Sequence, residues 1–289
     1  MNKVTVLAPA KVNLYLRIVG RRLDGYHLIN SLMVPVNLFD EVTIAASKSQ
    51  PEIAVTCDDP TLPGDETNLA YKAAALLCRE TGTRAKISIA LHKRILVEAG
   101  LGGGSSDAAA VLKGLNLLLS LRLSEDRLCS LAARLGADVP FFIPCRPAKV
   151  ERIGGILTAV PLLPSRWLVI VVPPFGVSTP WAYRRFDELS LPKTPPALVD
   201  SQRPANRWPS PELLVNDLER AVLPEYPQIR RITDHLLRLG AEGALMSGSG
   251  SAVFAVFQSR AAAEHAVMAL VGEGKTFLVE PLAGPPTTV

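Results

Sequence analysis

Apolar and polar residues alternate strictly over positions 11–18. Val12, Leu14, Leu16 and Ile18 fall on one side of the chain, and Lys11, Asn13, Tyr15 and Arg17 on the other. That period of two predicts a strand. A basic turn follows at 20–25, and strand-like sequence resumes through Ile44. Thr67 or Asn68 can cap a helix running to about Arg79, with Gly82 as its stop, and 86–91 reads as a strand. A glycine-rich stretch then opens a predicted helix over 105–120. Ser124 caps the next helix, Glu125 and Asp126 occupy its first turn, and Leu128, Leu131, Ala132 and Leu135 stand at i, i+3, i+4 and i+7 before Gly136. The apolar run 168–172 predicts a buried strand. Six prolines between Leu191 and Pro211 discourage regular structure there. A helix over about 228–239 ends at Gly240, and a strand over 252–257 precedes a helix over 260–271 capped by Ser259. Helices and strands alternate without a repeat, so the fold class is α/β or α+β. The second half restarts with its own elements, which puts a boundary near 155–165.

Composition narrows the class. The 289 residues are 48% hydrophobic and 20% charged, enough to bury a large core. The net charge of +4 is modest, and Lys and Arg are scattered or paired rather than massed. A nucleic-acid surface is therefore not indicated, and a small anionic substrate is served equally well. Cys57, Cys78, Cys129 and Cys145 form no CxxC pair, and the four histidines are equally dispersed, so no zinc spacing exists. The opening Met1-Asn2-Lys3-Val4-Thr5 lacks a signal-type apolar region, and no apolar run approaches ~18 residues. A soluble cytoplasmic protein without membrane contact is expected.

The chemistry concentrates in Ala99-Gly100-Leu101-Gly102-Gly103-Gly104-Ser105-Ser106-Asp107. Glycines permit positive φ and close approach of another molecule. A helix starting beside them would aim free N–H groups and its dipole at the same point, which suits a phosphate chain. A plain glycine turn with a serine cap is the alternative. No Lys follows the glycines, which excludes a P-loop, and neither the dinucleotide fingerprint nor the protein-kinase motif set is present.

Three further segments admit two readings each. Lys11 and Asn13 lie on the polar side of their strand, either solvated or directed into a cleft. Asp138, among Val139, Pro140, Phe141 and Phe142, either caps a short helix or serves as a partly desolvated general base. Arg22-Leu23-Asp24-Gly25-Tyr26-His27 is a turn sequence that places a stacking ring and a hydrogen-bonding ring at its exit.

Taken together, Ala8-Pro9-Ala10-Lys11-Val12-Asn13-Leu14, Gly100-Leu101-Gly102-Gly103-Gly104-Ser105-Ser106-Asp107-Ala108-Ala109 and Met246-Ser247-Gly248-Ser249-Gly250-Ser251 resemble, in order and spacing, the three motifs of the galactokinase, homoserine kinase, mevalonate kinase and phosphomevalonate kinase (GHMP) superfamily. The Arg22–His27 segment and Leu135-Gly136-Ala137-Asp138-Val139-Pro140-Phe141-Phe142 resemble the branch that acts on a cytidine-diphosphate polyol of non-mevalonate isoprenoid synthesis. The resemblance spans nearly the whole chain. It implies a two-domain α/β kinase: an ATP-binding domain over 1–160, similar to domain 2 of ribosomal protein S5, and a ferredoxin-like domain over 161–289.

The resemblance also implies roles. ATP is the co-substrate, its triphosphate lying on Leu96, Val97, Glu98, Ala99, Gly100, Leu101, Gly102, Gly103, Gly104, Ser105 and Ser106. Asn68 and Lys93 line the adenine pocket, and Ser247 and Gly248 close on the phosphates. Asp138 takes the proton from the acceptor hydroxyl, Lys11 steadies the moving charge, and Asn13 holds the erythritol part. Cytosine lies between Tyr26 and Tyr183, with His27 reading its edge. Mg²⁺ is expected, with Ser106 as its nearest side chain. The substrate implied is cytidine-diphosphate methylerythritol. The alternatives are a sister kinase acting on homoserine, mevalonate or a sugar, and a protein that only binds nucleotide or RNA. The chain departs from the family pattern at Leu96, where Pro is usual, and at Glu98 and Arg152, where Gly is usual.

Overall fold

The computed structural model describes residues 2–47, 49–152, 154, 156–161, 165–190 and 208–286. Two long strands, β1 (Asn2–Arg21) and β2 (His27–Ser47), form an antiparallel hairpin through nearly their whole length. Its tip is the predicted turn: Arg22 N–H donates to the Tyr26 carbonyl, and Gly25 takes φ +92. The other edge of β2 carries β4 (Lys86–His92) and β5 (Ala148–Arg152), with β3 (Glu52–Cys57) beyond β4 and β6 (Ile156–Ala159) beyond β5. The chain then enters a second sheet, in the order β10 (Lys275–Val279), β7 (Trp167–Val172), β9 (Val253–Phe257) and β8 (Gly243–Met246), antiparallel throughout.

Helices α1 (Leu69–Thr81) and α2 (Gly103–Leu118) cover the first sheet with small residues. Ala108, Ala109 and Ala110 are buried there, and a Cβ on Gly114 would stand 2.4 Å from Ile44 Cδ1. The helix therefore lies close against the sheet, leaving no slack to tilt its N-terminus. Helix α3 (Glu125–Ala132) begins as its sequence predicts, with Ser124 Oγ accepting from Arg127 N–H.

The second sheet is buried on both faces. Val169 and Val171 of β7 pack with Ile232 and Leu236 of a helix at Pro227–Arg238 and with Ala263 of one at Arg260–Ala269. Leu168 and Ile170 pack with Val12 and Leu14 of β1. The opposite side of β1 departs from the alternating pattern. Lys11, Asn13 and Tyr15, on the polar side of β1, are buried as fully as their apolar neighbours. The reading of Lys11 and Asn13 as solvated is wrong, because the glycine loop and the 247–251 turn close over them, with Gly102 beside the Lys11 stem and Gly248 beside its ammonium and Asn13 Oδ1. Segment 215–217 adds a backbone link across the halves: Leu16 N–H donates to the Val215 carbonyl and Asp217 N–H to the Leu16 carbonyl. The predicted irregular stretch lies largely outside the described residues, since 191–207 are not among them. No described helix is long and apolar enough to cross a membrane.

Candidate active site

A cleft of about 1040 Å³ runs between the two halves. Its floor is the glycine loop. Gly100 and Gly102 hold φ of +72 and +75, and neither tolerates a side chain. A Cβ on Gly100 would come within 2.0 Å of the Ser247 carbonyl, and one on Gly102 within 2.9 Å of Phe142. Helix α2 starts at Gly103 rather than at the predicted 105, because left-handed Gly102 takes the capping position with no side-chain bond. Ser105 and Ser106 thus lie inside the first turn and are not its cap. The first intrahelical bond runs from Ser106 N–H to the Gly102 carbonyl, so the N–H groups of Gly103, Gly104 and Ser105 precede it and form an anion cradle.

Glu98 holds φ +53 at the loop entrance, the left-handed region that favours glycine. Its carbonyl accepts from Val177 and Ser251 N–H, and the Ala99 carbonyl accepts from Ala252 N–H. Residues 247–251 are thereby tied to the glycine loop from the other half. Ser247 is buried and donates to the Gly100 carbonyl, while Gly248 reaches the cleft. Asn216 Nδ2 secures this second loop by donating to the Met246 and Gly248 carbonyls.

The Lys11 ammonium donates to Asn13 Oδ1 at 2.6 Å and to the Gly100 carbonyl at 2.7 Å, and lies 3.8 Å from Asp138 Oδ2. Burial pulls its pKa down, and the Asp138 charge opposes that. Asp138 is about one-third exposed, on the turn before the 3-10 segment Pro140–Phe142. Lys11, Asn13, Asp138 and the glycine loop therefore meet at one point in space, although 127 positions separate Lys11 from Asp138.

Asn68 lies at the cleft wall as the cap of α1, with Oδ1 accepting from Ala70 N–H and Nδ2 donating to the Pro63 carbonyl. Leu96 and Val97 also line the cleft. Lys93 reaches it but spends its charge on a buried cluster, donating to Asp40 and, at 2.5 Å, to Asp107. Burial would lower the Lys93 pKa, and the two carboxylates outweigh it and raise it. Asp40 also accepts from the N–H groups of Arg94 and Ile95. Burial pushes the Asp107 carboxyl up to about 7, against the opposing Lys93 charge. Ser106 Oγ and Asp107 Oδ1 are the buried side-chain oxygens without a hydrogen-bond partner among the described residues.

The far end of the cleft carries rings. Helix α4 (Thr179–Glu188) presents Tyr183 and Asp187, four residues apart, on one face. The His27 ring stacks on Tyr183 with centroids 4.8 Å apart, and its Nε2 lies 2.9 Å from Asp187 Oδ1. Arg21 pairs with the other Asp187 oxygen at 3.1 Å. Tyr26 is mostly exposed at the rim. Burial, with Asp138 second, holds the Tyr183 hydroxyl far above its usual range. In this arrangement His27, rather than a free space, covers one face of Tyr183.

Asp40, Asp107, Asp187 and Asn216 were not singled out from sequence. Asp107 directly follows the serines and could have been. The site partners of the other three are distant in sequence: Lys93 is 53 positions from Asp40, His27 is 160 from Asp187, and Gly248 is 32 from Asn216.

Known proteins resemble this chain over nearly its whole length. The model for the GHMP kinases N terminal domain matches 68–145, and that for the GHMP kinases C terminal matches 204–275. The chain belongs to the GHMP kinases. A 4-diphosphocytidyl-2-C-methyl-D-erythritol kinase of Citrifermentans bemidjiense is 46% identical over 92% of this chain and 94% of its own length. One of Gloeobacter violaceus is 43% identical over 94% and 92%. A crystal structure of 4-(cytidine 5'-diphospho)-2C-methyl-D-erythritol kinase superposes with a TM-score of 0.78 at 34% identity, covering 97% of this chain and all of that one. The homoserine kinase of Cytophaga hutchinsonii, at 20% identity and a TM-score of 0.76, shares the fold.

Proposed function

We propose that this kinase transfers the γ-phosphoryl group of ATP to the 2-hydroxyl of 4-diphosphocytidyl-2-C-methyl-D-erythritol, giving the 2-phosphate and ADP in the non-mevalonate route to isopentenyl diphosphate. The observation that carries this reading is the meeting of Lys11 and Asp138 at the mouth of the glycine loop, in a cleft whose other end holds Tyr26, His27 and Tyr183. Relatives of that name at 40–46% identity support the substrate.

Phosphoryl transfer needs positioning and charge stabilisation more than covalent chemistry. The N–H groups of 103–105 receive the phosphates, with 96–102 shaping the entrance and Ser247 and Gly248 closing above. Asn68 and the aliphatic stem of Lys93 flank the base. Asp138 accepts the hydroxyl proton as the new P–O bond forms, and Lys11 offsets the charge that gathers on the transferring group. Asn13 faces the polyol. Tyr26 and Tyr183 hold cytosine once the His27 ring gives way or shares the stack, and Asp187 orients His27.

Mg²⁺ accompanies ATP in this reading. The donor set fits: Ser106 Oγ and Asp107 Oδ1 are unpartnered oxygens on the first turn of α2. Mg²⁺ binds through one or two protein oxygens plus phosphates and waters, so no dedicated cage is required. Bound there, it would neutralise phosphate charge.

We further read 1–160 as the ATP-binding domain and 161–289 as the second, because the first sheet ends at Ala159 and the second begins at Trp167. The enzyme works in the cytoplasm on a small molecule, without nucleic acid or membrane. A panel of acceptors with labelled ATP tests the substrate. Transfer to the cytidylyl polyol supports it, and transfer to mevalonate, homoserine or a sugar instead overturns it.

A further inference from the structure

Ser31, on β2, lines no part of the cleft, yet its hydroxyl decides how Asn13 meets Lys11. Ser31 Oγ donates to the Tyr15 carbonyl at 2.6 Å and accepts from Asn13 Nδ2 at 2.8 Å. Asn13 Oδ1 in turn accepts from the Lys11 ammonium at 2.6 Å. All three side chains are buried, Ser31 and Asn13 completely. The two ends of this relay are single-purpose: a carbonyl only accepts, and an ammonium only donates. The serine has one hydrogen. Once that hydrogen is given to Tyr15, Ser31 can offer Asn13 only a lone pair, so the amide must turn its NH₂ toward Ser31 and its oxygen toward Lys11.

We propose that Ser31 is a positioning residue that sets the Asn13 amide orientation and, through it, keeps Lys11 charged and aimed. Reversing the amide would press an NH₂ against the ammonium in a site where water cannot screen it. With Asn13 Oδ1 and the Gly100 carbonyl each holding one N–H, the third remains for the cleft. The groups around Lys11 are the neutral Asn13 from its own strand, the Gly100 carbonyl from the glycine loop, and Asp138 as the charged neighbour, with the Tyr183 hydroxyl beyond Asp138. Burial already pulls the Lys11 pKa down, so loss of a fixed acceptor lowers it further.

The role in transfer rests on the function proposed above, and two measurements separate the claims. In a steady-state assay with ATP and the cytidylyl polyol, Ser31→Ala lowers kcat about ten- to hundredfold. It also moves the basic limb of the kcat profile toward lower pH and leaves the KM for ATP unchanged. Ser31→Thr, which keeps the hydroxyl, restores both. A Ser31→Ala enzyme with the wild-type basic limb overturns the proposal, whether or not its kcat falls. The second measurement is a ¹⁵N NMR titration of the lysine side chains, with Lys11 assigned by its loss in Lys11→Met. It needs no turnover. A Lys11 pKa that drops in Ser31→Ala but not in Ser31→Thr supports the relay even if the acceptor proves to be another, and an unmoved value overturns it. If Ser31→Ala does not fold, Ser31→Cys, whose thiol is a poor donor and acceptor, gives the same two readouts.

Discussion

Lys11 Nζ stands 3.8 Å from Asp138 Oδ2, near enough for the charges to feel each other and too far for a direct hydrogen bond. The ammonium is instead anchored by Asn13 and Gly100, so the Asp138 oxygens stay available to a hydroxyl proton. Two opposite charges held apart beside the glycine loop suit a reaction in which a proton leaves one side of an acceptor oxygen while a phosphoryl group arrives at the other.

Removing the Lys11 charge with Lys11→Met should cut kcat about 10²–10³-fold, the range for losing one preorganised electrostatic group in a dry site. The KM for the polyol should change less. Steady-state kinetics on the folded variant check this, and a loss confined to KM would move Lys11 out of the transfer step.

Glu98 and Arg152 both hold left-handed backbone, with φ of +53 and +63. The resemblance implies glycine at both positions, and both take the backbone region that glycine adopts most readily. A non-glycine residue in that region costs ~1–2 kcal/mol, and a glycine returns part of the gain as unfolded-chain entropy. Glu98→Gly should therefore raise the melting temperature by about 1–3 °C. Arg152→Gly should act in the same direction, as differential scanning calorimetry would show.

The cluster of Lys93, Asp40 and Asp107 predicts a pH dependence. The folded-state pKa of Asp107 is raised to about 7, above its unfolded value, so the folded state binds the extra proton between the two values. Stability from this group is complete below about pH 4 and declines as pH rises through 7. Asp107→Asn removes that titration. The melting temperature of the variant minus that of wild type should climb from pH 5 to pH 8, and a flat difference would show that Asp107 does not titrate there.

The legible parts of this protein are those written in consecutive residues. The glycine loop, the Ser124 and Asn68 caps and the alternating β1 pattern are local, and the structure contains them. Gly102, by taking the cap position itself, moved the start of α2 two residues earlier than the serines suggested. What the pattern could not show is what covers an element. Lys11 and Asn13 read as a possible solvent face because nothing in β1 announces the glycine loop and the 247–251 turn that cover them. Asp187 meets His27 across 160 positions and Asn216 reaches Gly248 across 32, separations that leave no periodic trace.

The central claim is that Asp138 is the base for transfer to the polyol hydroxyl, and Asp138→Asn tests it most directly. The variant should bind ATP like wild type in calorimetry while its kcat with 4-diphosphocytidyl-2-C-methyl-D-erythritol falls about 10²–10⁴-fold, the contribution of a positioned general base. Turnover of the variant near the wild-type rate would contradict the account.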